Sequence, residues 1–220
     1  MSFTAPRNRS NPLRIRTTIR AVEDWWFDKS RSVDTNGYMP QVPADEVVGG
    51  LGDSLSYGPV RAANARSALR DIPVKDYSDY TFIDIGSGKG RALFVAAEFP
   101  FRRVIGVEFA TPLHQHALAN IQRFNRRHQK SETIGSLNAN AVEYEFPTDN
   151  LVLYLCNPFG PELMSRMLDN LTRSIERNPR HVIIVLLWPE RSRQVSETRF
   201  FEPYKLHRRY HIYQAKPPVE

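Results

Sequence analysis

The fold of this chain is decided by the sequence DIGSGKGR at residues 84–91. A short apolar run at residues 81–85 leads into it, and an apolar stretch at residues 92–98 follows it. Strand, glycine turn and helix therefore occur in the order of a strand–loop–helix ligand site. Glycines at 86, 88 and 90 allow a sharp turn and let a ligand approach the backbone, while the helix N-terminus presents free N–H groups.

The spacing of these glycines discriminates between ligands. A dinucleotide-binding loop has the pattern G-x-G-x-x-G, whereas here the third glycine comes one residue early and Arg91 follows it. A phosphate-binding P-loop is not matched either, because Lys89 lacks the required spacing from a preceding glycine and is not followed by Ser or Thr. The pattern D-x-G-x-G-x-G fits a ligand that carries an ammonium group, with the Asp84 carboxylate beside that group.

The rest of the chain alternates strand-like apolar runs with helical periodicity from about residue 57. The runs are residues 81–85, 104–107, 151–155 and 182–187, with a weaker candidate at 133–137. Residues 200–214 predict two more strands around 203–206, which form an antiparallel C-terminal hairpin. The pattern predicts an α/β fold with a Rossmann-like, doubly wound sheet of seven mostly parallel strands. Its ligand is expected at the carboxyl ends of the strands.

Helix starts are marked by prolines at the first helical position. Thr111 is expected to supply a capping hydroxyl before Pro112, and Gly160 precedes Pro161 in the same way. The stripe of Leu and Met residues that follows Pro161 is interpreted as core packing.

The first 55 residues predict a basic arm and an aromatic lid region, and residues 56–220 form the main domain. Residues 1–22 contain five arginines and no acid, and Pro12 is expected to interrupt any early helix. The sequence DWWFD at 24–28 is expected to dock on the domain, and residues 33–52 are expected to act as a mobile lid. A solvated tail, a nucleic-acid contact and a mitochondrial transit peptide are the open interpretations of the arm.

Composition excludes several classes of protein. The chain is 41% hydrophobic and 11% aromatic, which rules out disorder throughout. The longest apolar run, residues 182–188, is too short to cross a bilayer, so we expect a cytoplasmic protein without a membrane partner. The one cysteine cannot form an internal disulfide, and no Cys/His cluster predicts a metal. A net charge of +6 favours anionic partners.

Over roughly residues 57–190 the chain resembles the class I S-adenosylmethionine-dependent methyltransferases. The resemblance implies S-adenosyl-L-methionine as the cofactor and methyl transfer as the reaction. It places the cofactor at the glycine turn, against Asp84, Gly86, Ser87, Gly88 and Gly90.

The resemblance extends to the ends of the next two strands. In this family an acid at the end of the second strand accepts both ribose hydroxyls, and Glu108 occupies that position. Phe109 would lie beside the adenine. The position that receives the adenine amino group is usually an acid, whereas here it is Asn140, with Asn138 as a rival.

The fourth strand ends in a sequence similar to the Asn-Pro-aromatic motif of methyltransferases that act on nitrogen. The resemblance makes Asn157 the catalytic residue, which aims an acceptor amine at the methyl group, and makes Asn157, Pro158 and Phe159 substrate-binding residues. A second proline is more common in the family where Phe159 stands, so the target atom is open. Asn157 as a turn residue that only braces the cofactor is the alternative interpretation.

A looser resemblance reaches the non-SET histone-lysine methyltransferases. It rests on Tyr57-Gly58 and on Phe159-Gly160-Pro161-Glu162, and it implies that Tyr57 closes over the methionine end of the cofactor. A protein side chain or a small molecule is the favoured acceptor. The alternatives are an RNA-binding or RNA-modifying protein and an NAD(P)-dependent oxidoreductase on the same fold. The acceptor itself and the oligomeric state are not encoded in any motif.

Overall fold

The chain folds around a seven-stranded mixed sheet. The computed structural model describes residues 12–39, 46–48, 57–156, 160–189 and 192–216, with side chains from residue 19 onward. The strands are β1 Tyr80–Ile85, β2 Arg103–Glu108, β3 Thr133–Asn138, β4 Asn150–Cys156, β5 Val182–Leu187, β6 Phe201–His207 and β7 Tyr210–Ala215. The helices are α1 Pro12–Arg31, α2 Ala62–Arg70, α3 Arg91–Ala96, α4 Thr111–Arg123, α5 Pro161–Arg177 and α6 Ser192–Glu197.

The strand order is β3-β2-β1-β4-β5-β7-β6. The first five strands in this order run parallel, and β7 and β6 add the antiparallel hairpin at one edge. The predicted fold class is therefore confirmed. The order reverses between β1 and β4, and at such a switch point the loops after the two strands diverge and leave a crevice.

Each face of the sheet carries its own hydrophobic core. Phe82 and Tyr154 point to the face covered by α2 and α3, whereas Ile83 and Leu153 point to the face covered by α5. All six residues of β1 are buried, because both of its faces are covered. The apolar stripe of α5 packs in the second core, as expected from its spacing.

The C-terminal hairpin turns later than predicted. Residues 203–206 lie within β6, and Arg208 and Arg209 form the turn. A register shift between Pro203 and Lys205 interrupts the pairing with β7. Proline has no N–H for the ladder, and an edge strand with a bulge is where a sheet accommodates it.

The expectation that Pro12 would interrupt an early helix is wrong. Pro12 begins the 20-residue α1, because the first helical turn has no use for the N–H that proline lacks. Within DWWFD, Phe27 is buried at 3% exposure, whereas Trp25 and Trp26 are 61% and 60% exposed. Docking of this aromatic cluster is thus carried by Phe27.

Thr111 does not cap α4, contrary to the prediction. The cap residue is Ala110, which makes no side-chain cap, and the Thr111 hydroxyl instead donates to Asn138 Oδ1 at 3.0 Å. Residues 1–11 of the basic arm, together with residues 40–45 and 49–52 of the expected lid, lie outside the described residues. Within the described part of the chain, no helix is both long and apolar enough to span a membrane.

Candidate functional site

The glycine turn between β1 and α3 forms the floor of the candidate site. Gly86, Gly88 and Gly90 have φ angles of 73°, 54° and 90°, in the region that side chains disfavour. At Gly88 the need for glycine is also steric, because an added Cβ would lie 2.3 Å from a ring carbon of Tyr57. The ring of Tyr57 therefore packs directly on the turn, and its hydroxyl donates to Thr35 O at 2.6 Å.

Two carboxylates lie beside this turn, at the ends of β1 and β2. Glu108 is buried, and its two oxygens accept hydrogen bonds from Gly88 N at 2.7 Å and Ala110 N at 2.9 Å. Burial raises the pKa of Glu108, and these backbone donors oppose the rise. The carboxylate thereby fixes the glycine turn to the start of the next loop.

Asp84, in contrast to Glu108, accepts no backbone hydrogen bond from the described residues. It is 3% exposed, and no described residue donates a hydrogen bond to its carboxylate. Burial, reinforced by the charge of Glu108, raises the pKa of Asp84 well above its ordinary value. A buried carboxylate that no described residue hydrogen-bonds is costly, so the site favours a cationic ligand at this point.

The two cationic side chains of the turn sequence do not neutralise these carboxylates. Lys89 Nζ donates to Asn36 O at 2.9 Å and lies 5.7 Å from the Tyr57 ring centre. Arg91, at 2% exposure, donates to Asp24 and to Thr35 Oγ1, and it pairs with Asp28. Both cations are thus bound to the N-terminal region rather than to the carboxylates.

Residues 33–36, here called the strap, follow α1 and pass over the glycine turn. Thr35 N and Asn36 N donate to Asp28 Oδ2 at 3.0 and 2.9 Å. Asn120 of α4 donates to both Asp34 O at 2.9 Å and Lys89 O at 3.0 Å, which joins the strap to the turn.

Sequence reasoning missed the ion pairs beneath the strap. The available signal was Asp24 and Asp28, two acids four residues apart directly after a basic segment, and one helical face can present both to a single guanidinium.

The three residues considered for the adenine lie in three different environments. Phe109 is half-buried and packs in a small cluster with Val47, Met39 and Tyr57. Both ends of the Asn138 amide are hydrogen-bonded: Oδ1 accepts from the Thr111 hydroxyl, and Nδ2 donates to Glu108 O at 2.9 Å. Asn140 is buried, and its Oδ1 accepts from Val142 N at 3.0 Å in a local turn.

Ser87 faces β2 rather than the open side of the turn. Its hydroxyl is buried without a partner among the described residues, and it fills the space that a Cβ at Gly106 would need, 2.5 Å away.

The end of β4 borders a cavity of about 390 Å³. Cys156 lies in its wall, and burial raises the pKa of the Cys156 thiol to about 12, which keeps it neutral and unsuited to act as a nucleophile. Asn157, Pro158 and Phe159, predicted to carry the chemistry, lie outside the described residues.

No protein-family model and no curated protein sequence matches this chain. Its fold is similar to that of the glycopeptide N-methyltransferase MtfA in complex with S-adenosyl-L-methionine, at a TM-score of 0.53 and 8% identity over 74% of this chain and 89% of MtfA.

Two bacterial structures are comparably similar. One is a predicted N6-adenine-specific DNA methylase from Listeria monocytogenes, with a TM-score of 0.51, 15% identity and 73% of this chain covered. The match spans about half of that protein, 52%. The other is a ribosomal protein L11 methylase from Lactobacillus delbrueckii subsp. bulgaricus, with a TM-score of 0.50 and 13% identity over 74% of this chain and 81% of that one. At these identities the similarity shows the fold.

Proposed function

We propose that this chain, which has the Rossmann-like fold of the class I S-adenosylmethionine-dependent methyltransferases, transfers a methyl group from S-adenosylmethionine to a nitrogen of an acceptor. The observation that carries the proposal is the buried Asp84 carboxylate, which no described residue hydrogen-bonds. An ammonium group bound there would supply the donor and the positive charge that the described residues do not. The amino-acid end of S-adenosylmethionine carries such a group, and a glycine turn at the end of β1 lets it approach.

The same charges argue against a nicotinamide dinucleotide. A pyrophosphate at this turn would meet two buried carboxylates, Asp84 and Glu108, and like charges repel strongly where water is excluded. Lys89 and Arg91 could neutralise a phosphate, but the strap and α1 already bind them. The site is thus suited to a cation.

Glu108 fits the role of ribose acceptor. Each of its oxygens accepts one backbone N–H, and a carboxylate oxygen has two lone-pair sites. Acceptor capacity therefore remains on the carboxylate for the ribose. The two backbone donors hold the carboxylate in place, which lowers the entropic cost of binding.

The nitrogen acceptor is proposed from the sequence at the end of β4. Bound S-adenosylmethionine would supply a methyl group on a cationic sulfur. When a nitrogen lone pair takes the methyl group, the sulfur is left as a neutral thioether. The Asn157 carbonyl would accept a hydrogen bond from the acceptor nitrogen and so fix the direction of its lone pair. Two of the similar structures are described as an N-methyltransferase and an N6-adenine methylase, which agrees with a nitrogen target.

Calorimetry with the purified chain tests the cofactor. We expect S-adenosylhomocysteine, which keeps the ammonium and the ribose, to bind with measurable heat, and NAD to give none. Heat with NAD alone would overturn the proposal.

Asp84→Asn should weaken the binding of S-adenosylhomocysteine and also stabilise the ligand-free protein. Loss of a charge-assisted hydrogen bond corresponds to a decrease in affinity of about 10- to 150-fold. The folded-state pKa of Asp84 is raised above its unfolded-state value, so the folded protein loses stability as the pH rises from the unfolded-state pKa through the folded-state pKa. At neutral pH the neutral amide should therefore raise the melting temperature by at least about 2 °C, measured by calorimetric scanning.

Asp149→Asn is the matched control for this experiment. Asp149 precedes β4, at the opposite end of the strands from the site, and pairs with Arg103 and Thr81. Although burial acts to raise the pKa of Asp149, these hydrogen bonds outweigh it and lower the pKa. The control should thus lose stability at neutral pH and keep its affinity for S-adenosylhomocysteine. Unchanged affinity in Asp84→Asn would place the ammonium elsewhere.

A further inference from the structure

The cavity at the end of β4 is lined by basic residues from separate parts of the chain. Arg20 comes from α1, Arg61 from the residue before α2, and Arg208 and Arg209 from the β6–β7 turn. No acidic residue is among the described residues that line it. Cys156, the last residue of β4, and Trp188, the residue after β5, complete the wall.

The four arginines differ in how far their charge is compensated. Arg61 pairs with Glu23 at 2.7 Å, and Arg20 lies 3.7 Å from Asp24. Arg208 and Arg209 are exposed and have no acidic partner among the described residues, although Arg209 donates to Asn64 Oδ1 at 3.3 Å. The hairpin turn therefore contributes two positive charges to the cavity rim that no described acid compensates.

Two further side chains of the wall, Arg61 and Trp188, have unusual surroundings. The Nε of Arg61 is buried without a hydrogen-bond partner among the described residues. Trp188 is 60% exposed and has a φ of 68°, an unfavourable backbone conformation for a bulky side chain. Strain of this kind occurs where structure serves a binding site.

From this geometry we infer that the cavity is the acceptor site and that it binds single-stranded nucleic acid. Phosphates of the strand bind Arg208 and Arg209, and a nucleobase stacks on the indole of Trp188. The assignment as acceptor site rests on the proposed methyl transfer; the binding of the strand does not.

A single strand fits these observations better than the other anionic partners. A cavity of about 390 Å³ holds one splayed-out base with its sugar, whereas a duplex presents its bases stacked inward. An acidic protein segment would use the arginines but would leave the exposed ring without a planar partner. Bases also carry the exocyclic and ring nitrogens that the proposed reaction requires.

Fluorescence anisotropy with the full chain tests the inference. The probes are end-labelled RNA and DNA single strands of about 15 nucleotides, the matching duplex, and polyglutamate as the acidic-protein competitor. We expect at least one single strand to bind more tightly than the duplex and to resist polyglutamate at equal charge concentration. The RNA and DNA arms show which sugar is preferred.

Variants then locate the binding. Arg208→Ala with Arg209→Ala should weaken single-strand binding at least tenfold and reduce the slope of log K against log salt by about 1.4, the value for two lost phosphate contacts. Trp188→Ala should weaken it about 5- to 150-fold, and Trp188→Phe should restore most of the loss. The control is Arg126→Ala with Arg127→Ala, which removes the same charge from exposed residues beyond α4 and should change the affinity less than twofold.

The inference is overturned if no single strand binds, if the hairpin variant and the control weaken binding equally, or if polyglutamate binds more tightly than the strands. Calorimetry with S-adenosylhomocysteine on the same samples separates the two proposals. Cofactor binding without strand binding defeats only the nucleic-acid site. Strand binding without cofactor binding defeats the methyltransferase function and leaves the site in place.

Discussion

Gly88→Ala is expected to lower the affinity for S-adenosylhomocysteine at least about 100-fold. The new Cβ would lie 2.3 Å from the Tyr57 ring, and a φ of 54° costs a residue with a side chain about 1–2 kcal/mol. Either Tyr57 or the turn must move. Movement of the turn also breaks the hydrogen bond from Gly88 N to Glu108, which fixes the proposed ribose acceptor. Calorimetry measures the affinity, and circular dichroism checks that the fold is retained.

Gly135→Ala provides the control for this change. Gly135 lies in β3, and no atom of the described residues lies within 4 Å of the position of an added Cβ. This variant should bind the ligand like the parent protein. If Gly88→Ala binds within about threefold of the parent, the glycine turn does not contact the ligand.

Asn157→Ala is expected to lower the methyl-transfer rate by two or more powers of ten while cofactor affinity stays within about threefold. Asn157 directly follows the last residue of β4, and its proposed hydrogen bond orients the acceptor nitrogen. An interaction of this kind acts chiefly in the transition state, so its loss appears in turnover.

The rate is measured with methyl-labelled cofactor. The acceptor is first identified by labelling a cell extract and treating samples with ribonuclease, deoxyribonuclease or protease. Asn157→Asp is the companion variant, because it keeps the side-chain size and adds a negative charge. Near a sulfonium that charge should tighten cofactor binding and slow methyl transfer. A parent-like rate in Asn157→Ala would refute the orienting role.

The sheet could be predicted from sequence because its central strands are buried on both faces. Strands such as β4 and β5 consequently appear as continuous apolar runs, which little else in the chain resembles. The hairpin turn was placed wrongly because Pro203 looks like a chain reversal in sequence. On an edge strand a bulge accommodates the same proline.

The positions of the two carboxylates were predictable, since Asp84 and Glu108 lie near the carboxyl ends of neighbouring parallel strands. Their unequal environments were not. The backbone donors that satisfy Glu108, and the lack of a described donor at Asp84, depend on how loops meet in three dimensions. The basic cavity was hidden for the same reason, because Arg20, Arg61 and Arg208 are far apart in the sequence.

The buried Arg91 joins the N-terminal helix to the rest of the fold. Its guanidinium is 2% exposed, and the acids that pair with it, Asp24 and Asp28, both lie in α1. A shortened chain that started at residue 56 would leave that cation buried and unpaired, at a cost of about 3–5 kcal/mol. That is a large share of the stability of an ordinary domain. We therefore expect the N-terminal helix to unfold together with the rest of the domain, and a chain that starts at residue 56 to be less stable.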